Sequence, residues 1–239
     1  DGRGGGHRRC AAGRAAGHSG RVADLTLTLA QVLEHLSTGP HAHVRVSPVE
    51  LQELRYASLL HEDLALKRDL QNARTIDIVA AYFSPTQTIL RRLASVARKG
   101  GDVRLVLAGR TDNGATIGAA RILYGYLLKR DVQICEYQPQ LLHTKLLVID
   151  DACYIGSANL DIRSLFINKE LMLRIDDSGL AEYLRVLAGK LALASEVQTA
   201  EHHRNRLSWF NRLRWSLAYL LVNSVDYNIG RRISLRITQ

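Results

Sequence analysis

The sequence predicts an α/β domain in which helices cover both faces of a mixed sheet. Strand-like and helix-like runs alternate between residues 75 and 175. Strands separated by helices of this length imply a largely parallel or mixed sheet that is covered on both sides. The chain has 239 residues, of which 46% are hydrophobic. That is enough for a sizeable core in one large domain or two small ones.

The first part of the chain carries weaker signals. Residues 1–20 are rich in Gly, Ala, Arg and His and lack the apolar stretch of a signal peptide, so we expect disorder there. A chain that begins with Asp1 indicates a processed protein or a fragment. Apolar residues at helical spacing predict a short helix over 22–36, and several leucines favour a helix over 51–70 that leads into the core.

The pattern becomes regular from residue 75 onward. A β-branched run predicts a strong strand over 75–83, which Ser84-Pro85 ends. The later elements follow in order: helix 86–99 with Gly100-Gly101 at its end, strand 102–108, helix 115–130, strand 131–137, strand 143–150, a strand around 154–155, strand 169–175 and helix 177–198. Cys135 and Cys153 fall in strand-like runs and are expected to be small core residues.

The strand over 143–150 carries the chemistry. Side chains alternate along a strand, so His143 and Lys145 share one side, whereas Asp150 points to the other and is better placed to hold the backbone or a neighbouring strand. Gly156 allows a close approach of the backbone, and Ser157 and Asn159 offer polar groups to the same point. A single His near a Lys usually lies on an exposed strand edge, but the combination of these residues with Asp150, Gly156, Ser157 and Asn159 predicts a phosphate-handling site.

These residues resemble a known family. The spacing matches a known pattern: the H-x-K-x4-D (HKD) motif of the phospholipase D superfamily with its trailing G-S-x-N resembles His143-x-Lys145-x4-Asp150 followed by Gly156-Ser157-x-Asn159. Compared with that family, one residue is missing between Asp150 and Gly156. The stretch from Asn159 to Glu170 is similar to bacterial cardiolipin synthases, particularly to their C-terminal half. The resemblance covers about residues 73–232 and implies a phospholipase D-like mixed sheet flanked by helices on both faces.

The resemblance also implies a mechanism and its residues. His143 would be the nucleophile that forms a phosphohistidine, and Glu170 would be the carboxylate that orients its imidazole, in preference to Asp150 on the face argument. Lys145, Ser157 and Asn159 would supply the donors that a site without metal needs for a phosphodiester. Asp150 and Gly156 would be structural. The implied reaction converts two phosphatidylglycerol molecules into cardiolipin and glycerol.

The second general acid–base histidine of the superfamily is missing from this chain. Only His143 among the nine histidines has a lysine two residues later. His43-x-Arg45 with Glu50 is set aside, because no Gly-Ser-x-Asn follows and Pro48 is expected to interrupt a strand. The second half would come from a missing N-terminal region, which we favour, or from a homodimer. The alternatives are a dimeric phosphodiesterase or nuclease, and an inactive membrane-binding half of a two-motif enzyme.

Charge and the C-terminal region indicate the partners. A net charge of +9 implies an anionic partner, and the resemblance favours anionic phospholipid over nucleic acid. Residues 204–221 have leucines at helical spacing with Trp209, Trp215 and several arginines, which is typical either of a helix in the membrane interface or of a terminal helix docked on the core. We therefore expect peripheral association with a bacterial cytoplasmic membrane.

The remaining expectations concern metals, cofactors and domain limits. No set of His, Cys, Asp and Glu residues has the spacing of a zinc site, and His202-His203 is interpreted as an exposed polar cluster, so no metal is expected. No glycine-rich loop carries the lysine of a phosphate-binding loop, so no cofactor is expected either. We divide the chain into a divergent, partly disordered segment 1–50, a catalytic domain 51–200 with one HKD motif, and a basic amphipathic segment 201–239.

Overall fold

The computed structural model of the protein describes residues 45–50, 62–111, 114–161 and 171–222. The strands of this part are β1 (Arg45–Glu50), β2 (Thr75–Ala80), β3 (Phe83–Ser84), β4 (Asp102–Ala108), β5 (Gln133–Tyr137), β6 (Lys145–Ile149), β7 (Ala152–Gly156), β8 (Leu160–Asp161), β9 (Leu171–Asp176) and β10 (Ser195–Gln198). The helices are α1 (Glu62–Asn72), α2 (Gln87–Arg98), α3 (Gly114–Leu128), α4 (Ser178–Leu193), α5 (Ala200–Arg206) and α6 (Trp209–Leu220).

Eight of the described strands form one mixed sheet in the order β1-β9-β7-β6-β2-β4-β5-β10, and β3 pairs with β8 in a separate two-stranded sheet. Strands β2, β4 and β5 are parallel to one another, because α2 and α3 connect them as β-α-β units. The other neighbours pair antiparallel. The predicted mixed α/β sheet is therefore confirmed.

Each face of the sheet has its own hydrophobic core, because side chains alternate along the strands. Ile78, Leu105 and Leu147 point to the side that α1, α2 and α3 cover. Their strand neighbours point to the opposite side, where Leu180 and Leu184 of α4 complete the second core. The central strands β2, β4, β5, β6 and β7 are thus buried on both faces, which explains why their sequences read as nearly continuous apolar runs.

Local sequence signals fix where the helices begin and end. The side chains of Thr86, Asp177 and Ser208 accept hydrogen bonds from backbone N–H groups three residues later and so cap α2, α4 and α6. Gly100 follows α2 with φ +89°, a left-handed conformation that suits glycine at a helix C-terminus. The predicted end of this helix at Gly100-Gly101 is confirmed.

The predicted helix over 177–198 is wrong in its last five residues. α4 ends at Leu193, and Ser195–Gln198 form β10, which pairs antiparallel with β5 from Ser195↔Tyr137 to Gln198↔Ile134. The backbone groups along the outer edge of β5 thereby find partners, a tertiary requirement that helical periodicity does not contain.

The N-terminal strand corrects a second expectation. Pro48 lies within β1, in register with Leu173 of β9, rather than interrupting a strand. β1 is the outermost strand of the sheet, where the missing N–H of proline is tolerated. Residues 45–50 thus join the sheet, although our division placed them in the N-terminal segment; residues 1–44, with the expected disorder and the helix over 22–36, lie outside the described residues.

The C-terminal segment docks on the domain. Its described residues, up to 222, form α5 and α6, and Trp215 and Ala218 of α6 are buried against α3, where a Cβ added at Gly118 would lie 3.0 Å from the Ala218 Cβ. His203 of α5 stacks on Trp215 with ring centroids 5.7 Å apart. The expectation that His202 and His203 are exposed is therefore wrong for His203, because this aromatic packing buries it to 6% exposure.

Candidate functional site at one edge of the sheet

Strand register brings the motif residues to one edge of the sheet. Lys145 at the start of β6 lies opposite Ala80 at the end of β2. Leu146 pairs with Ile155, and Gly156 at the end of β7 pairs with Met172 near the start of β9. The segments that carry His143, Lys145, Ser157 and Asn159 thus converge where β2, β4 and β5 have their carboxyl ends, the edge where open α/β sheets bind ligands.

His143 and Lys145 differ in exposure. The side chain of His143 is exposed just before β6, whereas Lys145 is 8% exposed on the sheet face of Leu147. The Lys145 ammonium donates a hydrogen bond of 2.7 Å to the backbone carbonyl of His143. A cation that is desolvated and directed to the sheet edge interacts strongly with an anion that arrives there.

The residues after β7 add polar groups beside this pair. Ser157 is exposed, and Asn159 is half-buried with a buried Oδ1 that has no hydrogen-bond partner among the described residues. Ser84 is similar: it is 2% exposed, and its buried Oγ also lacks a partner in this part of the chain. Buried polar atoms are normally satisfied, so two such atoms near one edge are consistent with a polar ligand.

The small sheet supplies two residues that the sequence analysis did not identify as site residues. Ser84 of β3 and Asp161 of β8 are paired in register and are buried, with Asp161 at 6% exposure. Asp161 lies two residues after Asn159, so β8 continues directly from the motif. The signal for Ser84 was the strand-ending Ser84-Pro85, but two-residue strands are too short to be predicted from periodicity.

Asp150 lies at the opposite end of β6. Its Oδ1 accepts hydrogen bonds from the backbone N–H of Thr75 at 2.8 Å, the Thr75 hydroxyl at 3.1 Å and the Arg74 N–H at 3.0 Å. Asp150 has φ +49° in the turn between β6 and β7, and its carbonyl accepts from Arg185 at 2.6 Å. These contacts support the interpretation that Asp150 holds β2 to the β6–β7 turn.

The same end of the sheet contains a buried ion-pair network. Asp77 is 4% exposed, and Arg104 Nε donates to its Oδ1 at 2.6 Å, while Arg185 Nε lies 3.4 Å from its Oδ2. Burial raises the pKa of Asp77, and the two guanidinium groups oppose that rise. This network joins β2, β4 and α4 and lies at the edge away from Lys145, which favours a structural role for it.

Glu136 is a completely buried carboxylate that already forms an ion pair. Arg121 donates two hydrogen bonds to it at 2.8 and 2.7 Å, and the Tyr124 hydroxyl donates a third at 3.1 Å. The register pairs Glu136 with Leu107, Leu107 with Ala80 and Ala80 with Lys145, so three strand spacings of about 4.8 Å separate Glu136 from Lys145. At about 14 Å, Glu136 is too far away to orient an imidazole beside Lys145.

Glu170 lies outside the described residues. Strand β9 begins at the next residue, Leu171, and this end of β9 is at the edge that carries Gly156 and Lys145. Its role as the partner of His143 stays a prediction.

Helix α6 presents an unusual surface next to the domain. Trp215 and Ala218 face the core, but large apolar side chains on the other side are 51–78% exposed: Trp209, Phe210, Leu213, Leu217, Leu220 and, just after the helix, Leu221. We call these six residues the outer face of α6. At 100° per residue they occupy an arc of about 120°, with Arg212 and Arg214 on its two sides. Within the described residues, no helix is long and apolar enough to span a bilayer.

Comparisons with known proteins agree with this architecture. The family model described as "Cardiolipin synthase, PLD-like domain" matches residues 66–191. The chain is 34% identical over 166 residues to cardiolipin synthase B of Escherichia coli K12, covering 69% of this chain and 40% of the relative. It is 30% identical over 153 residues to cardiolipin synthase A of Pectobacterium carotovorum, covering 63% of this chain and 31% of the relative.

Solved structures share the fold at lower identity. Nuc from Salmonella typhimurium, a phospholipase D family member, has a TM-score of 0.53 at 18% identity, covering 66% of this chain and 98% of that chain. Phosphatidylserine synthase of Haemophilus influenzae has a TM-score of 0.54 at 13% identity, covering 80% and 47% of the two chains. Our chain spans about 40% of the length of cardiolipin synthase B. The sheet and the family match together show that the chain belongs to the phospholipase D superfamily, in its family of cardiolipin synthase-like domains.

Proposed function

We propose that this chain carries out phosphatidyl transfer of the cardiolipin synthase type, in which two phosphatidylglycerol molecules give cardiolipin and glycerol. The observation that carries the proposal is the convergence of the His143, Lys145, Ser157 and Asn159 segments at one sheet edge in a cardiolipin synthase-like domain. These residue types suit a phosphodiester, whose anionic oxygens must be stabilised before a nucleophile can attack phosphorus.

The chemistry proceeds in two displacements. A neutral ring nitrogen of His143 attacks the phosphorus of the first phosphatidylglycerol, a P–N bond forms, and the P–O bond to the headgroup glycerol breaks. The departing glycerol oxygen takes a proton from a general acid. A hydroxyl of the second phosphatidylglycerol then attacks the phosphatidyl-histidine, gives its proton to the conjugate base and releases the imidazole.

Lys145, Ser157 and Asn159 would stabilise the charge on the phosphoryl oxygens during both steps. The desolvated ammonium of Lys145 is already fixed by the His143 carbonyl, so little reorganisation would accompany ligand binding. The side-chain NH2 group of Asn159 would donate to a phosphoryl oxygen, whereas its buried Oδ1 accepts and would need a donor from the substrate. Glu170 would orient the His143 imidazole.

The general acid would come from outside this single motif. Among the nine histidines, His143 alone has the motif spacing, and the chain spans only about 40% of cardiolipin synthase B. A missing N-terminal region of a two-motif protein or a second copy of this chain would supply the second histidine. An exposed His143 at an open sheet edge is compatible with either partner.

The lipid would be reached by peripheral association with the cytoplasmic membrane. The outer face of α6 places Trp209 and Phe210 beside leucines, with arginines on both sides, a composition that suits the interface of an anionic bilayer. Replacing Trp209 and Phe210 with Ala should reduce sedimentation with phosphatidylglycerol vesicles at least tenfold. Unchanged sedimentation would remove α6 from the proposal.

Trapping the intermediate tests the chemistry. The full chain is mixed with phosphatidylglycerol labelled separately in the acyl chains and in the headgroup glycerol, then quenched by denaturation in cold detergent near pH 8, which preserves both the P–N bond and the acyl esters. Acyl label should stay on the protein and headgroup label should not, because only the glycerol departs. His143→Asn should abolish the signal, whereas the matched variant His202→Asn should keep it.

The alternative function is a phosphodiesterase or nuclease formed by two copies of the chain, and the net charge of +9 favours it. Cleavage of DNA that depends on His143, without any turnover of phosphatidylglycerol, would establish this alternative. Absence of both activities, with vesicle binding retained, would indicate an inactive membrane-binding half.

A further inference from the structure

A basic groove lies between α2 and α3 on the outside of the helical layer. One wall is a stripe of α2 residues at helical spacing, namely Thr88, Arg91, Arg92, Ser95 and Arg98. Tyr126 and Arg130, one turn apart near the end of α3, form the opposite wall. The groove encloses about 500 Å³, a size typical of sites for small ligands.

The four arginines of this groove have no carboxylate partner among the residues that the structure describes. Arg91 and Arg98 are exposed, but Arg92 and Arg130 are half-buried. Partly buried cations are usually paired with an acid, because desolvation is unfavourable without compensation. A groove in which four guanidinium groups lack a carboxylate partner within the described part of the chain therefore has a strong positive potential.

Two of these guanidinium groups are also held in place. Arg92 Nη1 donates to the Lys67 carbonyl at 3.1 Å, and Arg130 Nη1 donates to the Tyr126 carbonyl at 2.8 Å. The Arg130 guanidinium lies over the Tyr126 ring, 3.8 Å from its centroid. Each anchored group uses one N–H for these bonds and retains others, and a fixed guanidinium loses little conformational freedom when it binds a planar or tetrahedral anion.

The groove is separate from the edge that carries His143. Arg98 is the last residue of α2 and Arg130 lies two residues after α3, next to the residues where β4 and β5 begin, whereas Lys145 lies where β4 and β5 end. A seven-residue strand such as β4 spans about 20 Å, so one phosphate group cannot contact both places.

We propose that this arginine groove is a second phosphate-binding site, which takes the phosphate group of a phosphomonoester or phosphodiester through bidentate guanidinium contacts. The hydroxyls of Thr88 and Ser95 line the same groove and add neutral donors. The phosphate could belong to an anionic phospholipid headgroup or to a free phosphate compound, since both present the same oxygens. The proposal goes beyond transfer chemistry at His143 and does not depend on it.

Calorimetric titration of the full chain tests the site, with inorganic phosphate, glycerol 3-phosphate and phosphatidylglycerol vesicles as separate ligands. The main variant is Arg91→Gln with Arg98→Gln, because both residues are exposed and neither side chain donates a hydrogen bond to another residue that the structure describes. The matched control is Arg74→Gln with Lys190→Gln, which removes the same charge from exposed positions outside the groove. Arg130→Lys keeps the charge and removes the bidentate geometry.

We expect the groove variant to weaken binding of at least one phosphate ligand about tenfold or more, Arg130→Lys to weaken it several-fold, and the control to have less than a twofold effect. When the protein also carries Lys145→Met, the groove substitutions should weaken phosphate binding by the same factor, since Lys145 lies at the other edge of the sheet. A loss with soluble phosphates identifies a free phosphate compound, and a loss with vesicles alone identifies the lipid headgroup.

Equal weakening by the groove variant and the matched control would overturn the proposal, because binding would then follow net charge only. Tight binding of DNA through these arginines, with no binding of the three phosphate ligands, would also overturn it. Trapping of phosphatidyl-histidine should persist in the groove variant, so failure of this site and failure of the transfer chemistry are separate results.

Discussion

Replacing Asp150 distinguishes a structural carboxylate from a catalytic one, because its hydrogen bonds lie at the opposite end of β6 from His143. Oδ1 of Asp150 accepts from the Thr75 N–H at 2.8 Å, the Thr75 hydroxyl at 3.1 Å and the Arg74 N–H at 3.0 Å. The bond from Arg74 is exposed, so the two part-buried bonds from Thr75 should contribute most. Hydrogen bonds to a charged acceptor contribute about 1.5–3 kcal/mol each, less where water competes, so Asp150→Ala should lower the free energy of unfolding by about 3 kcal/mol.

The backbone at this position allows a second measurement. Asp150 has φ +49°, a conformation that alanine adopts at a cost of about 1 kcal/mol and glycine adopts freely. Asp150→Gly should therefore be about 1 kcal/mol more stable than Asp150→Ala. Asp150→Asn keeps an acceptor oxygen and tolerates this φ, so it should lose only about 1 kcal/mol.

Urea denaturation gives these differences, and trapping of phosphatidyl-histidine measures the chemistry in the same preparations. For a domain of this size, a loss of about 3 kcal/mol lowers Tm by about 6–12 °C. All three variants should form the intermediate at temperatures where they are folded. The reasoning is refuted if Asp150→Asn retains native stability but forms no intermediate, because Asp150 would then belong to the reacting site.

Three further predictions concern buried groups. Trp215→Ala should lower the free energy of unfolding by about 3–5 kcal/mol in urea denaturation, because it removes the side chain that docks α6 on α3; an unchanged midpoint would contradict the docking. Burial raises the pKa of the Cys153 thiol to about 12, so iodoacetamide at about pH 9 should modify it only in urea, and rapid labelling of the folded chain would contradict its burial. Burial and then the charge of Arg121 lower the pKa of His203, so the unfolded chain binds more protons below about pH 6.5 and stability should fall as the pH drops through that range. His203→Gln should flatten this part of the stability–pH curve, and an equal slope in both proteins would exclude His203 as its source.

The sequence was sufficient to predict most strands of the central sheet, because burial on both faces produces long apolar runs. The predicted strand over 102–108 is β4, and the predicted helix over 86–99 differs from α2 by one residue at each end. Local signals such as Thr86 and Gly100 determine these limits. The prediction that Cys135 and Cys153 are core residues is also confirmed, since both are buried.

Elements that depend on distant partners could not be predicted in this way. β10 forms because β5 offers an open edge, and His203 is buried because Trp215 covers it. The pairing of Ser84 with Asp161 likewise requires the folded arrangement of β3 and β8. At the site, motif spacing indicated His143 and Lys145, but the relation between the two edges of the sheet needed the register of every strand.

The position of β1 has a consequence for the order in which the domain forms. Its partner β9 is about 130 residues away along the chain, since Arg45 pairs with Asp176. Closing so long a loop is entropically unfavourable early in folding, whereas β6 and β7 meet across a short turn. β1 should therefore associate after the rest of the sheet exists, and until then the open side of β9 can bind a strand from another molecule. The period between synthesis and the arrival of β1 is the time when this protein is most exposed to strand exchange between chains.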